Sequence, residues 1–430
     1  MNKYFIQFLI VLSVFFVVFF AVPHFVSASR VWQSGFETQT LTGYPGYEIS
    51  MVGSVGLTIN STIKHSGSVS ALLTSLVSGT AKGQFFSSAL GNVDRYGRVY
   101  IYLTTSTNAT TSIATFADGG AVPKVAVKLN RNDTLALYSS STGGTMTQIG
   151  SNSSVLTKNT WYRLELRADI SKEAGADIFD ARLDGISFAS TTIDSVTSTL
   201  ASFSFGGNLT KETATTIGIY FDDYGYNLST GAAPTSWVGE GNMVLLLPTA
   251  AGDGAAEQGT YANIDEVPQS NTTTTAERID LYYTTSSAFY NVTDSATAGI
   301  DSYDTVTLVS VIAKVSEAVA GTSNWRMGVK SASGGTIAST SRVDAGDASL
   351  VRANPNGTTI FGSNLIQTTD PTTAAAWTPT GTNSIDNMQV GVQTTDGNPD
   401  IWVTGLYTIV EYIDGSPPVT PSWEGIYWFY

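Results

Sequence analysis

The sequence predicts an all-β chain, built as two tandem antiparallel β-sandwiches behind an N-terminal export segment. Three observations carry that prediction. Apolar residues recur at every second position in short runs, the pattern of strands with one dry and one wet face. Clusters of Gly, Asn, Asp, Ser and Thr separate the runs and supply turns. No window beyond the leader shows the 3.6-residue period of an amphipathic helix. At 430 residues the chain is long enough for two or three domains with their own cores.

The leader comes first. Lys3 precedes the apolar run FIQFLIVLSVFFVVFFAV, then Pro23 and the small residues of VSAS. A basic start, an apolar stretch, a helix breaker and small residues make a secretory signal, with cleavage after Ala28 or Ser29. The run also approaches the roughly 20 residues that span a bilayer. Residues 1–29 are therefore read as a signal peptide or membrane anchor. On either reading the rest of the chain is exported, to the medium or the cell surface.

The first sandwich is placed at residues 30–238. In RVYIYL, Val99, Ile101 and Leu103 share one face, and Arg98, Tyr100 and Tyr102 share the other. In KVAVKL, Val125, Val127 and Leu129 share a face, as do Ile217, Ile219 and Phe221 in TIGIYFDD. The segment TWYRLELRADI alternates Trp161, Arg163, Glu165, Arg167 and Asp169 with Tyr162, Leu164, Leu166, Ala168 and Ile170. A second alternating run, DIFDARLDG, carries Asp180, Arg182 and Asp184 on one face. A hairpin in which Arg163 faces Asp184, Glu165 faces Arg182 and Arg167 faces Asp180 matches opposite charges at all three positions. Each such pair contributes roughly 0.2–1 kcal/mol, and a one-residue slip would bury the charges. The charged row is therefore read as a solvated ladder. His65, in the polar stretch STIKHSGS, is read as a solvated loop residue.

The stretch LSTGAAPTSWVGEG, residues 228–241, is rich in Gly, Pro and Ala and marks the boundary. The second sandwich is placed at 240–414. Its strand signals are RIDLYY (Ile279, Leu281, Tyr283), WRMGVK (Trp325, Met327, Val329) and NMQVGV (Met388, Val390, Val392). Residues 415–430 form a proline-rich hinge and a tail with Trp423, Ile426, Tyr427, Trp428, Phe429 and Tyr430. So apolar an end should be buried, against its own domain or through self-association of residues 423–430.

Composition excludes several chemistries. There is no cysteine, hence no disulfide and no thiolate metal site. His24 and His65 are the two histidines, too few for a zinc or iron centre once the leader is set aside. A net charge of −14 with 13% charged residues argues against nucleic acid, which requires a basic patch. Nine Asn-x-Ser/Thr sequons, Asn227 among them, permit glycosylation in a secreted protein.

The stretches WQSGFE (Trp32 to Glu37), NTWYRLELRAD (Asn159 to Asp169), DARLDG (Asp180 to Gly185) and IYFDDYGYN (Ile219 to Asn227) span the first domain. It resembles the concanavalin A-like lectin/glucanase superfamily in its laminin-G-like, jelly-roll form. The second domain resembles the jelly-roll-like module that follows such a domain in secreted and phage structural proteins, through NIDEVPQ (Asn263 to Gln269) and DPTTAAAWT (Asp370 to Thr378). The superfamily includes glycoside hydrolases with a Glu-x-Asp-x-Glu strand, to which Glu165-x-Arg167-x-Asp169 corresponds. A retaining glycosidase needs a carboxylic acid kept protonated, whereas flanking arginines favour ionised carboxylates. No catalytic residue is assigned.

Candidate ligand contacts are Tyr220, Asp222, Tyr224 and Tyr226, on one face of the closing strand if it stays regular, and the turn tyrosines Tyr44 and Tyr47. Rings stack on sugar C–H faces and a carboxylate accepts hydroxyl protons. No cofactor is expected, save that Asp222 and Asp223 offer oxygen ligands for Ca²⁺. The same features also fit a plain tyrosine-lined outer face. The expected role is a non-catalytic carbohydrate-binding or adhesion protein acting on a glycan or cell-surface polymer. The alternatives are a structural surface, filament or virion-type subunit and a glycoside hydrolase.

Overall fold

The computed structural model describes residues 30–39, 50–52, 57–76, 82–86, 93–118, 122–140, 145–170, 177–193, 200–206, 215–230, 235–256, 258–265, 267, 278–281, 286–317, 324–339, 343–344, 365–396 and 401–416. The leader, Tyr44, Tyr47 and the tail 423–430 lie outside them. Among the described residues, two short 3₁₀ turns, Tyr261–Asn263 and Ile385–Asn387, are the only helical elements. The all-β expectation holds.

Two sheets belong to the first half. One has eight strands in the order Ile186–Ile193, Asp177–Leu183, Trp161–Asp169, Arg95–Thr105, Thr215–Leu228, Ser70–Leu76 and Leu57–Asn60, with Arg30–Ser34 paired to the far part of Thr215–Leu228. The other has seven: Met146–Ile149, Leu135–Ser140, Pro123–Leu129, Thr111–Asp118, Leu200–Phe205, Lys82–Phe86 and Ser50–Val52. Between them lies one core. Val99, Ile101, Leu103, Leu164 and Leu166 from the first sheet meet Val125, Val127, Leu137, Phe203 and Phe205 from the second. The alternation in RVYIYL, KVAVKL and TIGIYFDD thus sorts those side chains as their sequence predicts.

The second half repeats the plan. One five-stranded sheet runs Asn242–Leu246, Ile401–Ile413, Thr305–Glu317 and Leu365–Gln367, with Ile279–Leu281 also on Ile401–Ile413. A six-stranded sheet runs Pro248–Gly254, Ser287–Val292, Gln389–Asp396, Asn324–Lys330 and Ala338–Ser339, with Val343–Asp344 also on Asn324–Lys330. Ile279, Leu281, Trp325, Met327, Val329, Met388, Val390 and Val392 all enter its core. All pairings between described strands are antiparallel, as two-layer sheets with hairpin connections favour.

Candidate functional site on the outer face of the first sandwich

The hairpin forms in the register that its charges predict. Glu165 is opposite Arg182 and Arg167 opposite Asp180. The ion pairs take other routes. Arg163 reaches Glu165 along its own strand (3.1 Å) and Glu240 of the connecting segment (3.1 Å). Arg167 holds Asp94 at 2.7 Å and Arg182 holds Asp180 at 3.4 Å. Asp184 accepts the backbone N–H of Arg163 at 2.8 Å.

The face is only partly wet: Asp184 is exposed and Arg163, Arg167 and Arg182 are half-buried, but the carboxylates of Glu165, Asp169 and Asp180 lie deeper. Glu165, Asp169 and Asp180 are 2%, 3% and 8% exposed. Gly239 donates its N–H to Glu165 Oε1 at 2.8 Å. The guanidinium of Arg182 lies 3.8 Å from the centroid of the Trp237 ring, and Tyr96 meets Trp237 edge-on. The solvated ladder is corrected to a partly covered one, whose buried part is the seat of the segment joining the two sandwiches. Trp237 within SWVGEG was the sequence signal, since a linker tryptophan needs a surface to cover.

Beneath that segment lies a buried ionic joint. Glu411, from the strand Ile401–Ile413, accepts Arg30 Nη1 at 2.5 Å and Arg98 Nη1 at 2.6 Å. Arg30 also donates to Asn227 Oδ1 at 2.6 Å, and Asn227 Nδ2 donates to Ser236 O at 3.0 Å. Arg98 adds the carbonyls of Asp223 and Gly239. Burial alone would push the Glu411 carboxyl up, but the charges and hydrogen bonds of Arg30 and Arg98 outweigh it and hold the group below its ordinary value. A Cβ on Gly241 would sit 2.4 Å from Glu411 Oε1 and 2.7 Å from Arg98 Nη1, so a side chain there would have to displace the ion pair.

The closing strand is not regular. Its pairing with Arg95–Thr105 slips between Asp222 and Gly225, and Asp223 takes φ 43°. The extra residue is a β-bulge, which exchanges the two faces beyond it. Ile217, Ile219 and Phe221 point inward before it; Tyr224 and Tyr226 point inward after it, both 0% exposed in the core. The expectation that Tyr220, Asp222, Tyr224 and Tyr226 share an outer face is therefore corrected. Tyr224 donates its hydroxyl to Phe203 O at 2.9 Å, and neither it nor Tyr226 can reach a ligand.

Asp222 and Asp223 are both 0% exposed. Asp222 accepts the N–H groups of His65 (2.8 Å) and Asp223 (2.9 Å). Asp223 lies 2.6 Å from His65 Nδ1 and accepts Ser66 Oγ and the N–H of Met243. Burial, then the neighbouring charge of Asp223, pushes the Asp222 carboxyl well up. With these oxygens turned onto protein donors, the pair does not form the open oxygen cage Ca²⁺ takes. Among the described residues, no group of three or more acidic or histidine side chains could hold a metal. His65 is likewise corrected. Its side chain is 19% exposed, stacked on Tyr100 at 3.7 Å and edge-on to Trp161 at 5.6 Å. The Ser66 hydroxyl donates to Asp223, so serine and histidine do not form a nucleophile–base pair.

Of the predicted ligand residues among those described, Tyr220 alone joins an outward cluster. Trp161 is opposite Tyr102, Tyr102 opposite Tyr220, Tyr220 opposite Leu72, and Leu72 opposite Thr58. The five make one row across five strands. Trp161, Tyr102 and Leu72 are half-buried, Thr58 is exposed, and Tyr220 is 9% exposed. Ring centroids lie 5.2 Å apart for Tyr102–Trp161 and 5.9 Å for Tyr102–Tyr220, tilted by 49° and 89°. The indole N–H of Trp161 donates to Lys64 O at 3.2 Å and fixes the ring. Trp161 and Tyr102 were not among the sequence candidates. Their signal was present, since both sit on the non-aliphatic face of alternating runs, but their adjacency needs the strand pairing.

A cleft of about 500 Å³ opens beside the joint, lined by Glu37, Ser68, Val244, Leu245, Leu247 and Tyr412 among others. Glu37 accepts Ser68 N–H and Oγ and Val69 N–H. Burial nevertheless pushes its carboxyl up to about 7, against those donors. The folded chain so keeps a proton that the unfolded chain, with the ordinary value of 4.5, gives up. The stability this group contributes is complete below about 4.5 and is lost as pH rises through about 7. Glu37→Gln cannot ionise and is expected to flatten the fall of the urea midpoint across that window. An unchanged slope would mean that the proton is lost without cost.

No protein-family model and no curated protein matches the chain. Solved structures do. The cellulose-induced protein Cip1 is similar at 15% identity and a TM-score of 0.34, over 48% of this chain and 99% of its own. Domain 4 of AbnA, a GH43 extracellular arabinanase from Geobacillus stearothermophilus in complex with arabinotriose, is similar at 14% identity and TM-score 0.33, over 49% of this chain and 96% of that one. The receptor-binding domain of a botulinum neurotoxin C/D mosaic serotype is similar at 12% identity and TM-score 0.33, over 46% and 48%. Each of these matches covers about half of this chain.

Proposed function

We propose that the protein is an exported, non-catalytic carbohydrate-binding protein whose first sandwich is a lectin-like jelly roll. The observation that carries this reading is the outward row Trp161–Tyr102–Tyr220, continued by Leu72 and Thr58. Aromatic faces pack on the C–H faces of a sugar ring, and phenol and threonine hydroxyls exchange hydrogen bonds with its hydroxyls. Export rests on the leader of residues 1–29. The absence of catalysis is supported by the state of the nearby carboxylates. Glu165 is held beneath the connecting segment by Gly239 and Arg163, and Asp222 and Asp223 are turned onto His65, Ser66 and backbone donors.

The test is a glycan array on the mature protein, followed by calorimetry on the sugars retained. Trp161→Ala is expected to weaken binding at least about tenfold, ~1.4 kcal/mol, with the urea midpoint little changed. Equal binding by wild type and variant would remove the row from the site. Steady release of reducing ends, abolished by Glu165→Gln, would replace binding by hydrolysis.

A further inference from the structure

We propose that the row takes a single neutral glycan chain laid across the strands, rather than the flat face of a crystalline polymer or an acidic polysaccharide. The inference rests on the carbohydrate-binding reading and specifies its ligand. Three observations lead to it.

The first is the attitude of the rings. A crystalline surface presents many chains in one plane and needs coplanar rings to lie on. Here Tyr102 is inclined by 49° to Trp161 and by 89° to Tyr220. Rings so turned contact successive faces of a chain that is free to twist.

The second is a wall. One register step along the strands, Arg163 lies opposite Tyr100 and Tyr100 opposite Asp222. His65 stacks on Tyr100 and stands edge-on to Trp161, while Glu240 reaches Arg163. A chain laid along the strands would meet His65 and the connecting segment. A chain laid along the row crosses from Trp161 to Thr58, about 19 Å at the usual strand spacing, enough for several pyranose rings end to end.

The third is charge. The five side chains in the row are aromatic, aliphatic or hydroxylic, and none is a carboxylate, an amine or a guanidinium. The charges behind it are engaged: Arg163 with Glu165 and Glu240, Asp222 and Asp223 with His65 and Ser66. Lys64 gives its backbone carbonyl to Trp161 and turns Nζ to Ser68 O at 3.5 Å. The chain as a whole carries −14, which repels polyanions.

The experiment uses the full mature chain. Affinity electrophoresis is run through gels of soluble neutral polysaccharides (hydroxyethylcellulose, xyloglucan, galactomannan, xylan) and of polygalacturonate and alginate. Depletion is measured on microcrystalline cellulose and chitin powders. Wild type is compared with Trp161→Ala, Leu72→Ala, Lys64→Ala and, as a control on the other sheet, Tyr138→Ala. The expected result is retardation in at least one neutral gel, lost in Trp161→Ala, reduced severalfold in Leu72→Ala and kept in Tyr138→Ala and Lys64→Ala. Trp161-dependent depletion on the powders alone would overturn the single-chain inference and leave the carbohydrate-binding reading standing. Retardation confined to the acidic gels and lost in Lys64→Ala would overturn neutrality alone. Wild type that is neither retarded nor depleted anywhere would overturn both.

Discussion

Replacing Glu411 by alanine is expected to destabilise the protein by about 3–5 kcal/mol, because it leaves two buried arginines without their counter-charge. Glu411 is 1% exposed, and its two oxygens divide between Arg30 and Arg98, themselves 4% and 0% exposed. Removing the carboxylate keeps the desolvation cost of both guanidinium groups and discards the attraction that offsets it. Glu411 belongs to the second sandwich and both arginines to strands of the first, so the loss falls on the joint between them. Urea unfolding should show this as a lower midpoint and as separation into two transitions. The triple change Arg30→Met, Arg98→Met, Glu411→Leu should recover much of the loss, since well-packed apolar groups often replace a buried ionic cluster without penalty. An unshifted midpoint in Glu411→Ala would mean that the two halves do not meet through this triad in solution.

Phe203→Ala is expected to cost about 3–5 kcal/mol, the usual range for emptying an aromatic site in a core. Phe203 is the centre of the first sandwich. It stacks on Tyr224 (5.2 Å, 22°) and Tyr226 (6.2 Å, 16°) and leans on Phe116 at 4.8 Å. It also occupies the place of a side chain on the opposite sheet, because a Cβ on Gly97 would fall 2.4 Å from its ring. The site is bounded by sheets on both sides and can collapse little. Calorimetry should report the loss as a lower melting temperature, while Phe203→Leu, which keeps most of the volume, should lose less. A loss below about 1 kcal/mol would mean that Tyr224 and Tyr226 swing in to refill the site, against the size of loss that unrelaxed cavities produce.

Much of this arrangement was legible because strand alternation is local. Val99, Ile101 and Leu103 declare their common face within five residues, and matched charges set the 161–169 and 177–183 register without any distant information. The failures share a different cause. FDDYGY offers no glycine at Asp223, yet Asp tolerates a left-handed backbone better than most residues, and one extra residue there turns two tyrosines from the outside to the core. The fate of the charged face was also out of reach, because the groups that cover it come from the connecting segment and from Glu411, more than 300 positions beyond Arg98. Alternation says that a face is polar. It does not say whether water or another domain lies on it.

Asn227 has a consequence for how the protein can be made. Its sequon invites an oligosaccharyltransferase, but in the folded chain the amide is 0% exposed, accepting from Arg30 and donating to Ser236. A sugar attached there before folding would occupy the space in which Arg30 meets Glu411 and hold the joint open. A eukaryotic secretion host would therefore divide the product into folded molecules bare at Asn227 and modified molecules unable to close. Bacterial expression avoids the division. So does Ser229→Ala, which erases the acceptor signal, keeps Asn227 in place and gives up one hydrogen bond from the N–H of Asp94.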